Sequence, residues 1–423
     1  MAINRRIFLG AAGALAAGGT LTARASANER VRLAVIGVRS RGVDLAEGFA
    51  QQKDAEIVAL CDIDDASFAK PLKALDKAGV KAPRVEKDFR RLLDDKSIDA
   101  VAVATPDHWH ALVTVLACQA GKDVYCEKPV SHNIVEGRRM VEASRKYKRV
   151  VQAGMQRRSM PHVKDAITHV QSGGIGKVGQ ARAWIHQKRK PIGHGKPGEV
   201  PSGVDYAMWQ GPALDRPFYP NRFHYNWHWF WNWGTGELGN NGIHGVDVAR
   251  WGLGVDAPLR VVSGGGKYVF DDDQEVPDTQ IVTWEFPKAS LVWEHRMWST
   301  HGLEGSGFGI AFYGDRGTVL LDQKGWHVED GEGDFKSLGG KETGGQSVHF
   351  RDFLDRIKDR GTPAADIEIG HMSARLCHLG NIAHRTGRKL SFDGASESFG
   401  TDTEANALLG REYSRRFEMP SSV

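Results

Sequence analysis

The residues whose types and spacing suggest chemistry are concentrated between Asn226 and Asp247. Four of the chain's 12 tryptophans, Trp227, Trp229, Trp231 and Trp233, occupy alternate positions there, and a glycine-rich turn and a polar set with Asn240, His244 and Asp247 follow. Alternating aromatics predict a strand or extended loop with one flat face, and flat apolar rings beside hydrogen-bonding groups suit a sugar ring. The stretch therefore reads as the substrate half of an active site, with Trp227 and Trp229 as stacking candidates and some of the four rings spent on core packing.

Such a half-site needs elements to carry a reaction partner to it. Val31 to Ile36 is a short apolar run of the kind that forms a buried parallel strand. Gly37-Val38-Arg39-Ser40-Arg41-Gly42 follows, then a helical stretch from about Val43 to Gln52, then the apolar run Glu56 to Cys61, which ends at Asp62. Strand, glycine turn, helix, strand and acid, in that order, predict a dinucleotide site. Gly37 permits the tight turn, Gly42 lets the helix pack close, and the helix amino terminus, with Ser40, offers N–H groups to a pyrophosphate. Asp62 lies where a carboxylate accepts from the adenosine ribose and repels a 2′-phosphate, which favours NAD. Arg39 stands where the fingerprint has its second glycine, and Arg39 and Arg41 bring positive charge that leaves NADP open.

Ile98 to Ala104 reads as another buried strand, followed by Thr105-Pro106-Asp107-His108-Trp109-His110, a helix from about Ala111 to Ala120, and the run that ends in Glu127-Lys128-Pro129. Strands alternating with helices imply a parallel sheet whose ligands sit beyond the strands' carboxyl ends. Thr105, His110, Glu127 and Lys128 all fall there, and Thr105, His110 and Glu127 join the expected cofactor contacts.

Bulk properties set the class. At 423 residues, with 41% hydrophobic and 26% charged residues, the chain is an ordinary globular protein of more than one domain. The formal charge is +4, and Arg5, Arg6 and Arg24 fall in a segment expected to be removed, so the remaining surface is near neutral. No basic run with interleaved aromatics suggests nucleic acid. Residues 1–27, with Arg5-Arg6 ahead of Phe8-Leu9, an Ala/Gly-rich run and Ala25-Ser26-Ala27, resemble a twin-arginine signal peptide, which predicts export to the periplasm already folded and no stable membrane anchor. Cys61, Cys118, Cys126 and Cys377 show no CxxC spacing and read as buried thiols. No HExxH or Cys/His cluster has metal-ligand spacing, so no metal is expected.

Glu127-Lys128-Pro129, preceded by Thr105-Pro106 and His110, together with Gly234-Thr235-Gly236, Leu238, Asn240, Gly242, His244 and Asp247, resembles the Gfo/Idh/MocA family of sugar and polyol oxidoreductases. The resemblance implies an α/β chain: a Rossmann domain over residues 28–150, then an α/β domain over residues 151–423 with an open, largely antiparallel sheet, carboxyl-terminal helices and a role in homo-oligomerisation as dimer or tetramer. Gln156-Arg157-Arg158 resembles the family's crossover into the second domain. The resemblance also implies that Lys128 and His244 approach the reacting hydroxyl, with His244 as proton acceptor because its ordinary pKa is nearest neutrality and Lys128 as relay or polariser. Asn240 stands where many members carry a catalytic Asp; an amide takes no proton, so it would orient a hydroxyl. Gln156, Arg157 and Asp247 are the remaining expected substrate contacts.

The first reading is thus an exported oxidoreductase that passes hydride from a sugar, polyol or glycoside to tightly bound NAD. Two alternatives stand beside it. One is an NAD-dependent glycoside hydrolase or lyase that oxidises transiently with no net redox change; the other is a non-catalytic ligand-binding regulator on the same fold.

Overall fold

A computed structural model describes residues 30–329, 335–336, 345–420 and 423. The expected signal peptide, residues 1–27, lies outside the described residues. Among the described residues no helix is long and apolar enough to cross a membrane.

The amino-terminal half is a six-stranded parallel sheet. Its strands are β1 (Val31–Ile36), β2 (Ala55–Cys61), β3 (Arg84–Glu86), β4 (Ala100–Val103), β5 (Asp123–Cys126) and β6 (Val151–Ala153), in the spatial order β3-β2-β1-β4-β5-β6. Leu33, Val35, Val101 and Val103 are fully buried because helices cover both faces, which is why these strands read as continuous apolar runs. The sheet continues through β6, just past residue 150. The helix expected to start near Ala111 begins at Asp107 and runs to Gln119, so His108, Trp109 and His110 lie on its first turn.

The second sheet has nine strands among the described residues. They are β7 (Val178–His186), β8 (Arg260–Gly266), β9 (Thr279–Glu285), β10 (Ser290–Arg296), β11 (Phe308–Gly314), β12 (Gly317–Leu321), β13 (Trp326–Glu329), β14 (Phe335–Lys336) and β15 (Leu390–Ser391). Their order is β14-β13-β12-β11-β7-β10-β9-β8-β15, antiparallel throughout except for the β7/β10 pair. The helices Ile243–Leu253 and Ile367–Thr386 pack on it. The second of these is capped by Asp366, whose carboxylate accepts from the Glu368 N–H at 3.0 Å. Near the carboxyl terminus a short helix spans Thr403–Asn406.

The two halves are tied together by chain that crosses between them. The helix Ser347–Asp359 returns to the first half, where Phe350 and Phe353 pack on Phe49 at 4.5 and 6.0 Å between ring centroids. Arg351 pairs with Asp54 at 2.5 Å and Arg360 with Asp123 at 2.7 Å. A long irregular strap, residues 187–234, crosses the other way: Asp205 donates its N–H to the Ile63 carbonyl at 3.0 Å, and Lys87 reaches the Gly203 carbonyl at 2.8 Å.

Candidate active site

At the carboxyl ends of β1, β2, β4 and β5 lies a cavity walled by both halves. The glycine turn, Asp62, Thr105, Asp107, Glu127 and Lys128 come from the first half, and Trp209, Tyr225, Trp227, His228 and Asn240 from the second.

The glycine turn and Asp62 lie together at one end of the cavity. Gly37 has φ +82, and a Cβ there would lie 2.7 Å from the Ala104 carbonyl, so the turn accepts only glycine without strain. At Gly42 a Cβ would come within 1.8 Å of the Gly37 oxygen. Asp62 Oδ2 accepts the Val38 N–H at 2.8 Å and Oδ1 accepts that of Asp64 at 3.1 Å, which fixes the carboxylate at the strand end; burial pushes its pKa up. Arg39 and Ser40 are exposed on the cavity wall. Thr105 has a buried hydroxyl with no hydrogen-bond partner among the described residues. An orphaned hydroxyl, a glycine cradle and a fixed carboxylate together fit a dinucleotide with free ribose hydroxyls.

Other expected cofactor residues serve one another. Arg41 Nε donates to Glu127 Oε1 at 2.7 Å, and its Nη1 donates to Gln346 at 2.7 Å. That leaves Arg39 as the cation at the mouth. His110 places Nδ1 2.6 Å from the Pro129 carbonyl and Nε2 2.8 Å from that of Thr105. Its ring therefore holds the loops after β4 and β5 in register rather than reaching for a ligand.

At the other end, Lys128 Nζ donates to the Asn240 carbonyl at 2.7 Å and to its side-chain Oδ1 at 3.1 Å. Burial lowers the Lys128 pKa, against the neighbouring carboxylates of Glu127, Asp107 and Glu237. Asn240 lies in a π-helical turn, Leu238–Gly242, that runs directly into the helix Ile243–Leu253. His244 is the second residue of that helix, half-buried and not among the residues that line the cavity; its ring makes no hydrogen bond among the described residues. Burial, helped by the charge of Lys128, holds its imidazole well below the ordinary pKa and hence neutral.

The aromatic stretch differs from a strand. Asn226–Trp229 is a single 3-10 turn, so the alternate rings fan into a compact cluster instead of sharing one face. Trp227 lines the cavity, stacked on His228 at 3.6 Å and 18°. Trp229 is 2% exposed, off the cavity wall, with the Arg189 guanidinium 4.9 Å from its ring; it buttresses the strap.

Asp247 is a correction. It is buried away from the cavity, where Arg158 Nε meets both its oxygens at 2.9 Å, Arg158 Nη2 approaches Oδ1 at 2.8 Å, and Ser373 donates to Oδ1 at 2.6 Å. The carboxylate is saturated by these partners and is not a sugar contact. Gln156 and Arg157 line a separate cavity with Met160, His162, Asp322 and Gln346, so the structure does not bring them onto the wall that holds Trp227.

Asp107 and Glu237 escaped the sequence reading. Asp107 lies inside the Thr-Pro-Asp-His-Trp-His run, and only its contact with Thr235, 128 residues on, marks it. Glu237, 1% exposed, accepts from Gln187 at 2.7 Å and Asn241 at 2.6 Å and pairs with Arg189 at 3.0 Å, which ties the strap to the Asn240 turn.

Comparison with known proteins matches this two-part architecture. The oxidoreductase family described by its NAD-binding Rossmann fold matches residues 31–155, and the same family's carboxyl-terminal α/β domain matches residues 213–392. The oxidoreductase YrbE of Bacillus subtilis is 39% identical over 279 residues, 65% of this chain and 68% of that protein. A glycosyl hydrolase family 109 protein of Stenotrophomonas maltophilia is 39% identical over 134 residues, and the myo-inositol 2-dehydrogenase of Thermotoga maritima is 31% identical over 147. Those two alignments cover 30% of this chain and 30% of the first protein, and 35% and 42% for the second, so the chain matches well under half the length of either relative. Among solved structures, the aldose-aldose oxidoreductase of Caulobacter crescentus complexed with glycerol superposes with TM-score 0.67 at 20% identity, over 86% of this chain and all of that one. Levoglucosan dehydrogenase in complex with NADH and levoglucosan gives 0.67 at 17%, over 86% and 99%. With both domains matched in order and the identity to YrbE spread over two thirds of that protein, the chain belongs to the Gfo/Idh/MocA oxidoreductase family, its amino-terminal half an NAD-binding Rossmann domain.

Proposed function

We propose that the protein oxidises a hydroxyl-bearing carbon of a sugar, polyol or glycoside, with NAD held tightly in the Rossmann site. The observation that supports this best is Lys128, whose ammonium is fixed on Asn240 at the wall where the two halves meet. NAD, when bound, accepts the hydride from the carbinol carbon. Two of the ammonium's three N–H bonds go to Asn240, and the third is left for the substrate hydroxyl, whose proton it makes easier to lose. The neutral imidazole of His244 takes that proton. Asn240 holds Lys128 and orients a hydroxyl, and Trp227, stacked on His228, offers an apolar face to the ring.

Denaturing the purified protein and identifying the released nucleotide tests the cofactor; screening sugars, polyols and glycosides for formation of reduced nicotinamide tests the reaction. A protein that carries nucleotide yet reduces it with none of these substrates would refute the oxidoreductase reading. A redox-neutral glycoside cleavage is the second reading, favoured by the relative named a glycosyl hydrolase family 109 protein and by Asn240 in place of an acid. Release of an aryl group from a glycoside without added cofactor and without net change in nicotinamide absorbance distinguishes it. The arginine pair near the amino terminus supports export to the periplasm, which fractionation of expressing cells tests. A homo-oligomer, dimer or tetramer, completes the proposal, with light scattering as its check.

A further inference from the structure

Asp107 is a buried carboxyl on the cavity wall to which the reaction above gives no task. It is 2% exposed and opens the helix Asp107–Gln119. Oδ2 accepts the Thr235 hydroxyl at 2.7 Å. Thr235 has little freedom to turn away: its carbonyl accepts from Asn381 at 2.8 Å, and Gly239 packs so close that a Cβ there would lie 2.0 Å from the Thr235 hydroxyl.

The charges around this carboxyl are few. Lys128 faces it from the end of β5, and Glu136 faces it from the helix Ile134–Lys146; the Cys126 thiol is also near. Facing Lys128 are Glu127, Asp107, Glu237, the cation Arg41 and the imidazoles of His110, His228 and His244, all three held below their ordinary pKa by burial. Glu127 is already paired with Arg41 at 2.7 Å, and Glu237 with Arg189 at 3.0 Å. Asp107 has no ion pair of its own among the described residues, so its charge is balanced chiefly by Lys128.

We propose that Asp107 is the positioning residue that sets the charge of Lys128: ionised, it holds the ammonium in place, and protonated, it lets Lys128 give up its proton more readily. The inference rests on the assignment of Lys128 to the reacting hydroxyl. Burial pushes the Asp107 carboxyl up to about 7, which places the change within the neutral range, while the Thr235 hydrogen bond and Lys128 act in the opposite direction.

The test follows Lys128 itself. Competitive acetylation of the full-length protein with acetic anhydride across pH, read by mass spectrometry on the Lys128 peptide, gives the half-reaction pH of that amine. Asp107→Asn keeps an oxygen for Thr235 and removes the charge; it should lower the half-reaction pH of Lys128 by about one unit, roughly tenfold in reactivity at a fixed pH below it. Thr235→Val leaves the carboxyl and removes the bond that favours its ionised form. It should shift Lys128 the same way by less, and move the acid limb of kcat/KM to higher pH. A half-reaction pH unchanged in both variants, or a Lys128 unreactive at every pH, overturns the proposal, and if Asp107→Asn fails to fold, Thr235→Val decides. Absence of turnover by the wild type would overturn the reaction proposed above, while the acetylation result would still decide the role of Asp107.

Discussion

Replacing Asp247 by Asn separates a substrate contact from a structural one. Asp247 is 1% exposed and receives Arg158 through two nitrogens and Ser373 through its hydroxyl. Arg250, also buried, lies near enough that Asp247 supports its charge; burial and the charge of Arg158 bring its pKa down to about 10. The Asn variant keeps the shape but leaves the Arg158 guanidinium, and in part that of Arg250, buried against a neutral amide. Removing one partner of a buried, hydrogen-bonded pair costs about 3–5 kcal/mol. The cost falls chiefly on Arg158, since Arg250 keeps Asp256 at 2.9 Å. For a chain of this size the corresponding loss in Tm is on the order of 4–6 °C.

Thermal unfolding by calorimetry or scanning fluorimetry reads the stability, and steady-state kinetics well below Tm reads the site. The expected pattern is a large fall in Tm with KM within about twofold of wild type, since the cavity wall is untouched. The reverse, a Tm within a degree or so of wild type and a KM raised about tenfold or more, would mean that Asp247 meets substrate after all. A partial rescue by Arg158→Met in the Asn background would strengthen the case, since it removes one of the stranded cations.

Other expectations are equally direct. Lys128→Met and His244→Ala should each lower kcat by about 10²–10⁴-fold while leaving the nucleotide content of the purified protein unchanged; near wild-type rates in either would remove that residue from the proton path. Asp62→Ala should weaken NAD and reduce discrimination against NADP, measured by isothermal titration with each dinucleotide on the stripped protein. Gly37→Ala should abolish nucleotide retention and lower Tm, because a methyl group would press on the Ala104 carbonyl from a left-handed backbone. Asp107, with its carboxyl raised to about 7 from an ordinary value near 3.9, binds more protons folded than unfolded between those pH values. Its contribution therefore destabilises the fold progressively as pH rises through that window and levels off above it. The Tm difference between Asp107→Asn and wild type should grow in favour of the variant from about pH 4 to about pH 7.

How much of this was legible in the sequence depended on how local the interactions are. The nucleotide half was readable because strand, turn, helix and acid follow one another from Val31 to Asp62, and Gly42 answers to the backbone of Gly37 five residues before it. The tryptophan run was not: alternate spacing looks like a strand, but here a 3-10 turn sends the rings into a cluster with Trp209, Val276 and Met297 from elsewhere in the chain. Asp247 finds Arg158 89 residues away, a pairing with no local signature. β7 went unread because it is central and pairs in parallel with β10, some hundred residues on, so its burial pattern does not alternate cleanly.

The strap shows how the two halves jointly decide the fate of the cofactor. On the side of the second sheet it is pinned by carboxylates. Asp272 accepts the Ile192 N–H at 2.8 Å, Asp273 accepts that of Gly195 at 2.7 Å, Glu275 accepts that of Trp231 at 2.8 Å, and Glu237 holds Arg189. On the Rossmann side, His224 meets Asp64 at 2.7 Å, two residues beyond Asp62 at the end of β2. Each bond to a charged group contributes about 1.5–3 kcal/mol when intact, so lifting the strap requires breaking several at once. If the proposed dinucleotide binds beneath this cover, it is expected to leave slowly, on the same physical grounds that make closed loops slow to open. Slow release suits an enzyme whose NAD is reduced by one substrate and reoxidised by another without dissociating. Weakening a single anchor, as in Asp64→Asn, should therefore speed nucleotide exchange before it affects the chemistry at Lys128.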